Sequence, residues 1–206
     1  MIAKAPIPGR VKTRLTPPLE PEQAAALARA ALTDTLAAVA AARGAARRVV
    51  VLDGQPGPWL PPGFEVIPQR GDGLDERLAA AFEDVGAPAF LVGMDTPQVT
   101  PSLIEQGLRT VRGGGTAFGT ALDGGFWCIG LQPGDHPVFD GVPMSTERTG
   151  AVQLARMRAR GLTPAILKPL RDVDTYEDAV AVAREAHGSH FAALLAEFAL
   201  EEEIAV

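Results

Sequence analysis

The sequence has little of the chemistry that disulfide-bonded, metal-chelating or membrane-spanning proteins depend on. It contains one cysteine, Cys128, which excludes an internal disulfide, and its three histidines show no metal-ligand spacing. No uninterrupted apolar run reaches the roughly 18 residues that cross a bilayer. No basic start followed by an apolar stretch marks a secretory signal. We therefore expect a cytoplasmic protein with no membrane span.

Serine and positive charge are also scarce. Three serines are present, and Ser145 lies in no Gly-x-Ser-x-Gly turn, which argues against a serine hydrolase. The chain carries 19 Lys and Arg residues against 25 Asp and Glu residues, for a net charge of −6. An acidic total argues against general nucleic-acid binding.

The positive charge that is present is concentrated at the start of the chain. Residues 1–19 contain Lys4, Arg10, Lys12 and Arg14 and no acidic residue. A cationic segment on an acidic protein favours an anionic small ligand that binds at one place. The alternative is a basic arm that stays solvated.

Short apolar segments alternate with longer helical patterns along the chain. Residues 48–52 and 89–93 are apolar runs typical of buried strands, whereas residues 22–43 and 72–85 have the spacing of helices. Further strands are predicted at 2–5, 64–67, 116–120, 126–131 and 165–167, and further helices at 101–112, 145–160, 176–186 and 191–198. The pattern predicts one α/β domain over residues 1–206, a mainly parallel sheet with helices on both faces.

The first candidate site is the Pro- and Gly-rich loop in AKAPIPGRVKTRL (residues 3–15). Gly9 removes a side chain that would block a phosphate, and the cations Arg10, Lys12 and Arg14 alternate, so an extended loop would project them to one side. Thr13 completes the predicted phosphate-binding set. A Walker loop is absent, and the alternative is a surface loop.

Acidic residues at strand ends form the second group of candidates. Asp95 follows the apolar run 89–93, and an acid there can present oxygen to Mg²⁺ or Mn²⁺, although it could also be a turn residue. Asp172 and Asp174 precede the helix predicted at 176–186. Either they cap that helix or they supply a metal-side carboxylate.

The third candidate is the turn Asp123-Gly124-Gly125. Two glycines would let a ligand approach the backbone, and Asp123 could bind sugar hydroxyls or a metal ion. The alternative is an ordinary Gly-Gly hairpin turn. Because ligands of parallel α/β sheets bind beyond the carboxyl ends of the strands, the loop, Asp95 and this turn predict one common site.

Six ordered motifs resemble a bacterial family of unknown function. They span residues 3 to about 186 and read AKAPIPGRVKTRL, GDGLDERLAAAF, LVGMDTPQVTP, ALDGGFWCIGL, FDGVPMSTERT and RDVDTYEDA. The family contains glycosyltransferase-like proteins associated with arsenosugar biosynthesis. It is similar, more distantly, to phospholactate and molybdenum-cofactor guanylyltransferases. The resemblance implies the GT-A fold, which is also called the nucleotide-diphospho-sugar transferase fold.

The resemblance also implies roles for residues. Arg10, Lys12 and Arg14 match nucleotide-phosphate contacts, Asp95 matches a metal-binding acid, and Asp174 matches a second metal-side acid. The turn at residues 123–125 matches the acceptor or sugar side. Family members often have Tyr and Trp where this chain has Phe126 and Met144, and they usually have more apolar residues before AKAP. These departures concern the acceptor side and the length of the first strand.

The expected function is transfer of a sugar from a nucleoside-diphosphate sugar to a small-molecule acceptor, with Mg²⁺ or Mn²⁺. In this reading Lys12 neutralises charge on the leaving group, and Asp123 is a candidate general base. The alternative is nucleotidyl transfer, in which an acceptor phosphate attacks a nucleoside triphosphate and pyrophosphate leaves. A third possibility is a non-catalytic nucleotide-binding protein.

Overall fold

The computed structural model describes the backbone of residues 1–204 and the side chains of residues 1–200. The strands in this part of the chain are β1 (Ile2–Lys4), β2 (Val49–Asp53), β3 (Glu65–Pro68), β4 (Ala89–Val92), β5 (Ala117–Thr120), β6 (Phe126–Leu131) and β7 (Ala165–Ile166). The helices are α1 (Pro21–Ala41), α2 (Leu74–Val85), α3 (Pro101–Arg112), α4 (Thr149–Ala159), α5 (Tyr176–Glu185) and α6 (His190–Ile204). The alternation that the sequence predicts is confirmed.

The strands form two sheets. One has the order β1-β2-β3 and is parallel throughout. The other has the order β4-β6-β5-β7, in which β6 runs antiparallel to both neighbours and β7 pairs parallel with β5. The carboxyl ends of β4, β5 and β7 and the start of β6 therefore lie at one edge.

Apolar side chains cover the second sheet on both faces. On one face Leu91, Phe118 and Ile129 pack with Phe82 of α2 and Met157 of α4. On the other face Val92 and Cys128 pack with Ala38 of α1 and Ile104 of α3. The predicted α/β class with helices on both faces is confirmed.

Helices α3 and α5 begin where the sequence predicts, whereas the helix predicted at 145–160 begins later. Thr100 accepts a hydrogen bond from the Leu103 amide, and Thr175 forms a capping box with Asp178. Helix α4 begins at Thr149 rather than after Ser145 or Thr146. The Thr149 hydroxyl donates a hydrogen bond to the Pro143 carbonyl at 2.8 Å and accepts one from the Thr146 amide at 3.0 Å. These bonds close a turn ahead of the helix.

Helix α1 contains charged residues, Glu22, Arg29 and Asp34, that interrupt its apolar sequence, but its mean hydropathy is high. Within the described residues it is the one helix long and apolar enough, by length and composition, to cross a bilayer. Its apolar window is 56% buried, and core helices pass the same test. Leu27, Leu32 and Leu36 of this helix are fully buried.

Candidate active site

The predicted site lies at one edge of the sheets. The loop at residues 5–14 follows β1, Asp95 follows β4, the turn at residues 121–125 joins β5 to β6, and residues 170–175 follow β7. Backbone hydrogen bonds hold these segments together: the Val173 amide donates to the Asp95 carbonyl at 3.0 Å, and the Leu122 amide donates to the Leu170 carbonyl at 2.9 Å. Four segments far apart in the sequence therefore meet here.

Lys12 is the centre of this edge. Its ammonium lies 2.8 Å from Asp95 Oδ1 and 3.8 Å from Asp174 Oδ1, and it donates a hydrogen bond to the Val173 carbonyl. The side chain is 8% exposed. The backbone of Lys12 is left-handed, with φ 51° and ψ 37°, which is an uncommon conformation for a residue with a side chain. The loop thus turns one of its cations inward onto two of the predicted acids.

Negative charge nevertheless exceeds positive charge around this ammonium. Burial raises the pKa of Asp172 to about 8, and the charges of Asp95, Asp123 and Asp174 add to the increase while Lys12 opposes it. Four acidic side chains therefore interact electrostatically across the site. Asp172 stays mostly protonated at neutral pH, so Asp95, Asp123 and Asp174 carry the negative charge that Lys12 and the exposed Arg14 partly compensate.

The site also holds most of the unsatisfied polar atoms found in the described part of the chain. Five buried side-chain oxygens have no hydrogen-bond partner there, and four of them belong to Asp95, Thr96, Gln98 and Asp172. Asp95 Oδ1 is in ionic contact with Lys12 but not in hydrogen-bond geometry. Since folded proteins rarely bury such atoms unpaired, these oxygens are available to pair with water, a polar ligand or a cation.

The predicted metal acids Asp95 and Asp174 are brought together, but an ammonium lies between them. Among the described residues, no three His, Cys, Asp or Glu side chains are grouped as a metal site. The donor chemistry still fits a hard divalent cation, because Asp95, Asp172 and Asp174 offer carboxylate oxygens and two buried oxygens lack partners. Metal binding at Asp95 and Asp174 stays a prediction.

The expectation that three alternating cations project to one side holds for Lys12 and Arg14, which both contact Asp174. Lys12 is buried, and Arg14, which is 70% exposed, bonds to Asp174 at 3.0 Å. Arg10 instead lines a separate cavity of about 60 Å³ with Asp53 and the loop backbone. The left-handed Lys12 breaks the extended alternation on which the prediction depended. Gly9 (φ 72°) and Thr13 lie on the exposed surface of the same loop, and their role in phosphate binding stays a prediction.

The two glycines of the 123–125 turn have a different physical reason from the one that we predicted. A Cβ at Gly124 would overlap the Glu147 backbone carbonyl, and the Gly150 amide donates to the Gly124 carbonyl at 2.7 Å. Gly124 therefore makes room for the chain before α4, not for a ligand. Asp123 is exposed and accepts a hydrogen bond from the Gly125 amide at 2.8 Å. The acceptor-side role of this turn stays a prediction.

Asp172 and Asp174 are candidates together from the sequence pattern, whereas the resemblance gives a metal-side role to Asp174 alone. Asp174 is half-exposed and paired with Arg14, whereas burial raises the pKa of Asp172. In the extended segment before α5, alternation places Val173 in the core and the two acids on the opposite side. That alternation was the available indication that both acids belong to the site.

Comparison with solved structures defines the class of fold. A crystal structure from Desulfovibrio desulfuricans G20, named a "putative nucleotide-diphospho-sugar transferase", is 29% identical, with a TM-score of 0.83 over 95% of this chain and 93% of that one. The chain has the nucleotide-diphospho-sugar transferase fold, as the resemblance implied. It belongs to the family described as "Uncharacterized protein conserved in bacteria (DUF2064)", which matches residues 23–146.

A more distant structure shares the fold alone. CMP:2-keto-3-deoxy-manno-octonic acid synthetase complexed with CTP is 14% identical, with a TM-score of 0.51 over 88% of this chain and 95% of that one. A comparison with curated proteins finds no match. The fold therefore accommodates a protein that binds a nucleoside triphosphate as well as one named for nucleotide-sugars.

Proposed function

We propose that this chain is a divalent-metal-dependent transferase that takes a sugar from a nucleoside-diphosphate sugar. The observation that carries the proposal is the buried Lys12 ammonium beside Asp95 and Asp174, at the strand ends where this fold binds ligands. The name of the Desulfovibrio protein supports the same class of substrate.

In this proposal the acidic residues of the site bind the metal ion and the basic residues bind the phosphates. Asp95, Asp172 and Asp174 would hold Mg²⁺ or Mn²⁺, which supplies charge neutralisation for a diphosphate. Lys12 and Arg14 neutralise the negative charge that develops on the leaving nucleoside diphosphate. In this proposal Gly9 and Thr13, which lie exposed on the same loop, contact the nucleotide, whereas Arg10 lines the separate cavity beside Asp53.

The acceptor approaches from the opposite side of the site. Asp123 is exposed and directly follows Leu122, an apolar side chain that is 57% exposed. A carboxylate beside apolar surface suits a sugar ring or an acceptor hydroxyl. In this proposal Asp123 takes the proton of the attacking hydroxyl or orients that hydroxyl.

Nucleotidyl transfer is the second candidate, because the fold is shared with a synthetase that was solved with CTP. The same loop and acids would then serve a triphosphate and release pyrophosphate. A non-catalytic nucleotide-binding protein is a weaker alternative, since a buried lysine, orphaned oxygens and surplus carboxylates are costly features for binding alone.

Asp95→Asn tests the metal step. In calorimetry with UDP, GDP and their sugar conjugates, we expect Mn²⁺ to strengthen nucleotide binding to the natural chain. The amide keeps the shape of the carboxylate but lacks its charge. The enhancement of nucleotide affinity by Mn²⁺ should therefore be at least tenfold smaller in the variant than in the natural chain. Asp140→Asn changes a distant exposed acid and should retain it. Full metal enhancement in Asp95→Asn would make Asp95 a turn residue.

A further inference from the structure

The ammonium of Lys12 takes the place between carboxylates that a cation would need. It contacts Asp95 at 2.8 Å, lies 3.8 Å from Asp174 and is anchored to the Val173 carbonyl, with its side chain 8% exposed. A second positive ion at the same oxygens is disfavoured while this one remains, because two cations at such a short separation repel each other.

The loop that carries Lys12 combines an uncommon backbone conformation with a solvent-exposed turn. Lys12 has a left-handed backbone conformation and directly precedes a short 3-10 helix, Thr13–Leu15. Residues 8–10, earlier in the loop, form a turn that is exposed to solvent. A non-glycine residue in this conformation is sparsely populated and is held there by its surroundings. The ionic contacts of the ammonium with Asp95 and Asp174 are part of those surroundings, so a ligand that replaces them removes part of what holds this conformation.

We propose that Lys12 is an internal counter-ion that keeps divalent metal out of the site until a nucleotide arrives. The inference rests on the proposed function. Phosphate oxygens offer the ammonium new partners, Lys12 turns from the acids to the phosphates, and Asp95 and Asp174 become free for the metal. Metal and nucleotide therefore bind with positive coupling, and the coupling is reciprocal.

This arrangement separates two consequences of removing Lys12. The metal alone should bind more tightly, because its competitor is gone and the carboxylates keep their charge. The nucleotide should bind more weakly, because a phosphate partner is lost. A lysine that served the phosphates alone would change the second quantity and leave the first unchanged.

The experiment titrates Mn²⁺ alone into the nucleotide-free chain, followed by calorimetry or by the electron paramagnetic resonance of free Mn²⁺. We expect Lys12→Met to bind Mn²⁺ at least tenfold more tightly than the natural chain. Lys12→Arg keeps the charge and should stay within about threefold. Lys4→Met removes one exposed cation from the neighbouring strand and should stay within about twofold, which controls for net charge. Circular dichroism establishes that each variant is folded.

Repeating the titration with saturating UDP measures the coupling. UDP should increase Mn²⁺ affinity at least tenfold in the natural chain and by less than threefold in Lys12→Met. Equal or weaker Mn²⁺ binding by folded Lys12→Met, or equal tightening in Lys4→Met, overturns the proposal. Absence of any UDP effect on the natural chain counts against the proposed function instead, while the Mn²⁺ comparison still decides whether Lys12 competes with metal.

Discussion

Asp172 is the residue whose ionisation is most unfavourable at the site. Burial raises its pKa from 3.8 to about 8, and neighbouring carboxylates add to the effect. Between pH 4 and pH 8 the folded chain keeps a proton that the unfolded chain releases. Stability from this group is therefore full below pH 4 and is lost as the pH rises toward 8.

Asp172→Asn should stabilise the metal-free protein for that reason. We expect a gain of roughly 2–4 kcal/mol in the free energy of unfolding at pH 8 and little gain at pH 4, since an amide does not ionise. Urea unfolding at the two pH values measures it. Asp140→Asn, at an exposed acid, should change the stability by less than about 0.5 kcal/mol at either pH. Equal stability of Asp172→Asn and the natural chain at pH 8 contradicts the prediction.

The sequence predicted which residues matter at this scale better than it predicted their contacts. Strand ends marked Asp95, and the acid-free segment marked Lys12. The ionic contact between these two residues depends on the left-handed turn at Lys12, and the bond from Lys12 to Val173 joins positions 161 apart. Local pattern contains no information on such a contact.

At the scale of elements, the turn between β5 and β6 is fixed by its contact with the start of α4. Gly124→Ala places a side chain on a residue whose φ is 92°, and the new Cβ would overlap the Glu147 carbonyl. Neither the turn nor the Glu147 backbone can easily shift to relieve this overlap. We expect a loss of roughly 3–5 kcal/mol in urea unfolding. Gly134→Ala has a similar φ of 89° and open space around it, so it should lose only about 1 kcal/mol. Equal losses would mean that the contact is unimportant.

The start of α6 depends on a side chain from another helix. Asp34 of α1 accepts hydrogen bonds from the His190 and Phe191 amides at 3.2 and 2.8 Å, and its oxygen lies 2.8 Å from His190 Nδ1. Asp34→Ala leaves these amides without that partner and should cost roughly 1–3 kcal/mol. Thr33→Ala, at the neighbouring position, should cost less than about 0.5 kcal/mol. Chemical denaturation compares the two, and a similar cost for both would argue against interhelical capping.

Local rules explain which element bounds could be predicted. Thr100 with Pro101 and Thr175 with Asp178 are capping patterns contained in a few residues, and both helices begin where expected. The cap of α6 comes from Asp34, 156 positions earlier, and the turn before α4 uses the Thr149 side chain. Sequence windows do not reveal partners of that kind.

At the scale of the whole molecule, the topology made the site's location predictable. A chain that alternates strands and helices brings the carboxyl ends of parallel strands to one edge. The loop after β1, Asp95 and the segment after β7 consequently converge without any contact being known. The topology does not determine the net charge of the side chains at the site. That net charge decides whether the site prefers a diphosphate or a triphosphate ligand.

The charge balance favours a nucleoside diphosphate over a triphosphate. At neutral pH Asp172 keeps its proton, and the charges of Asp95, Asp123 and Asp174 face one buried cation, Lys12, while Arg14 is mostly exposed. An additional phosphate brings further negative charge next to these acids, whereas a neutral sugar brings none. With Mn²⁺ present, we expect UDP or a UDP-sugar to raise the melting temperature more than UTP at equal concentration, because tighter binding to the folded state stabilises it by mass action. Thermal-shift measurements over a concentration series give the ranking. Greater stabilisation by UTP, accompanied by metal-dependent pyrophosphate release with a phosphorylated acceptor, would reverse it in favour of nucleotidyl transfer.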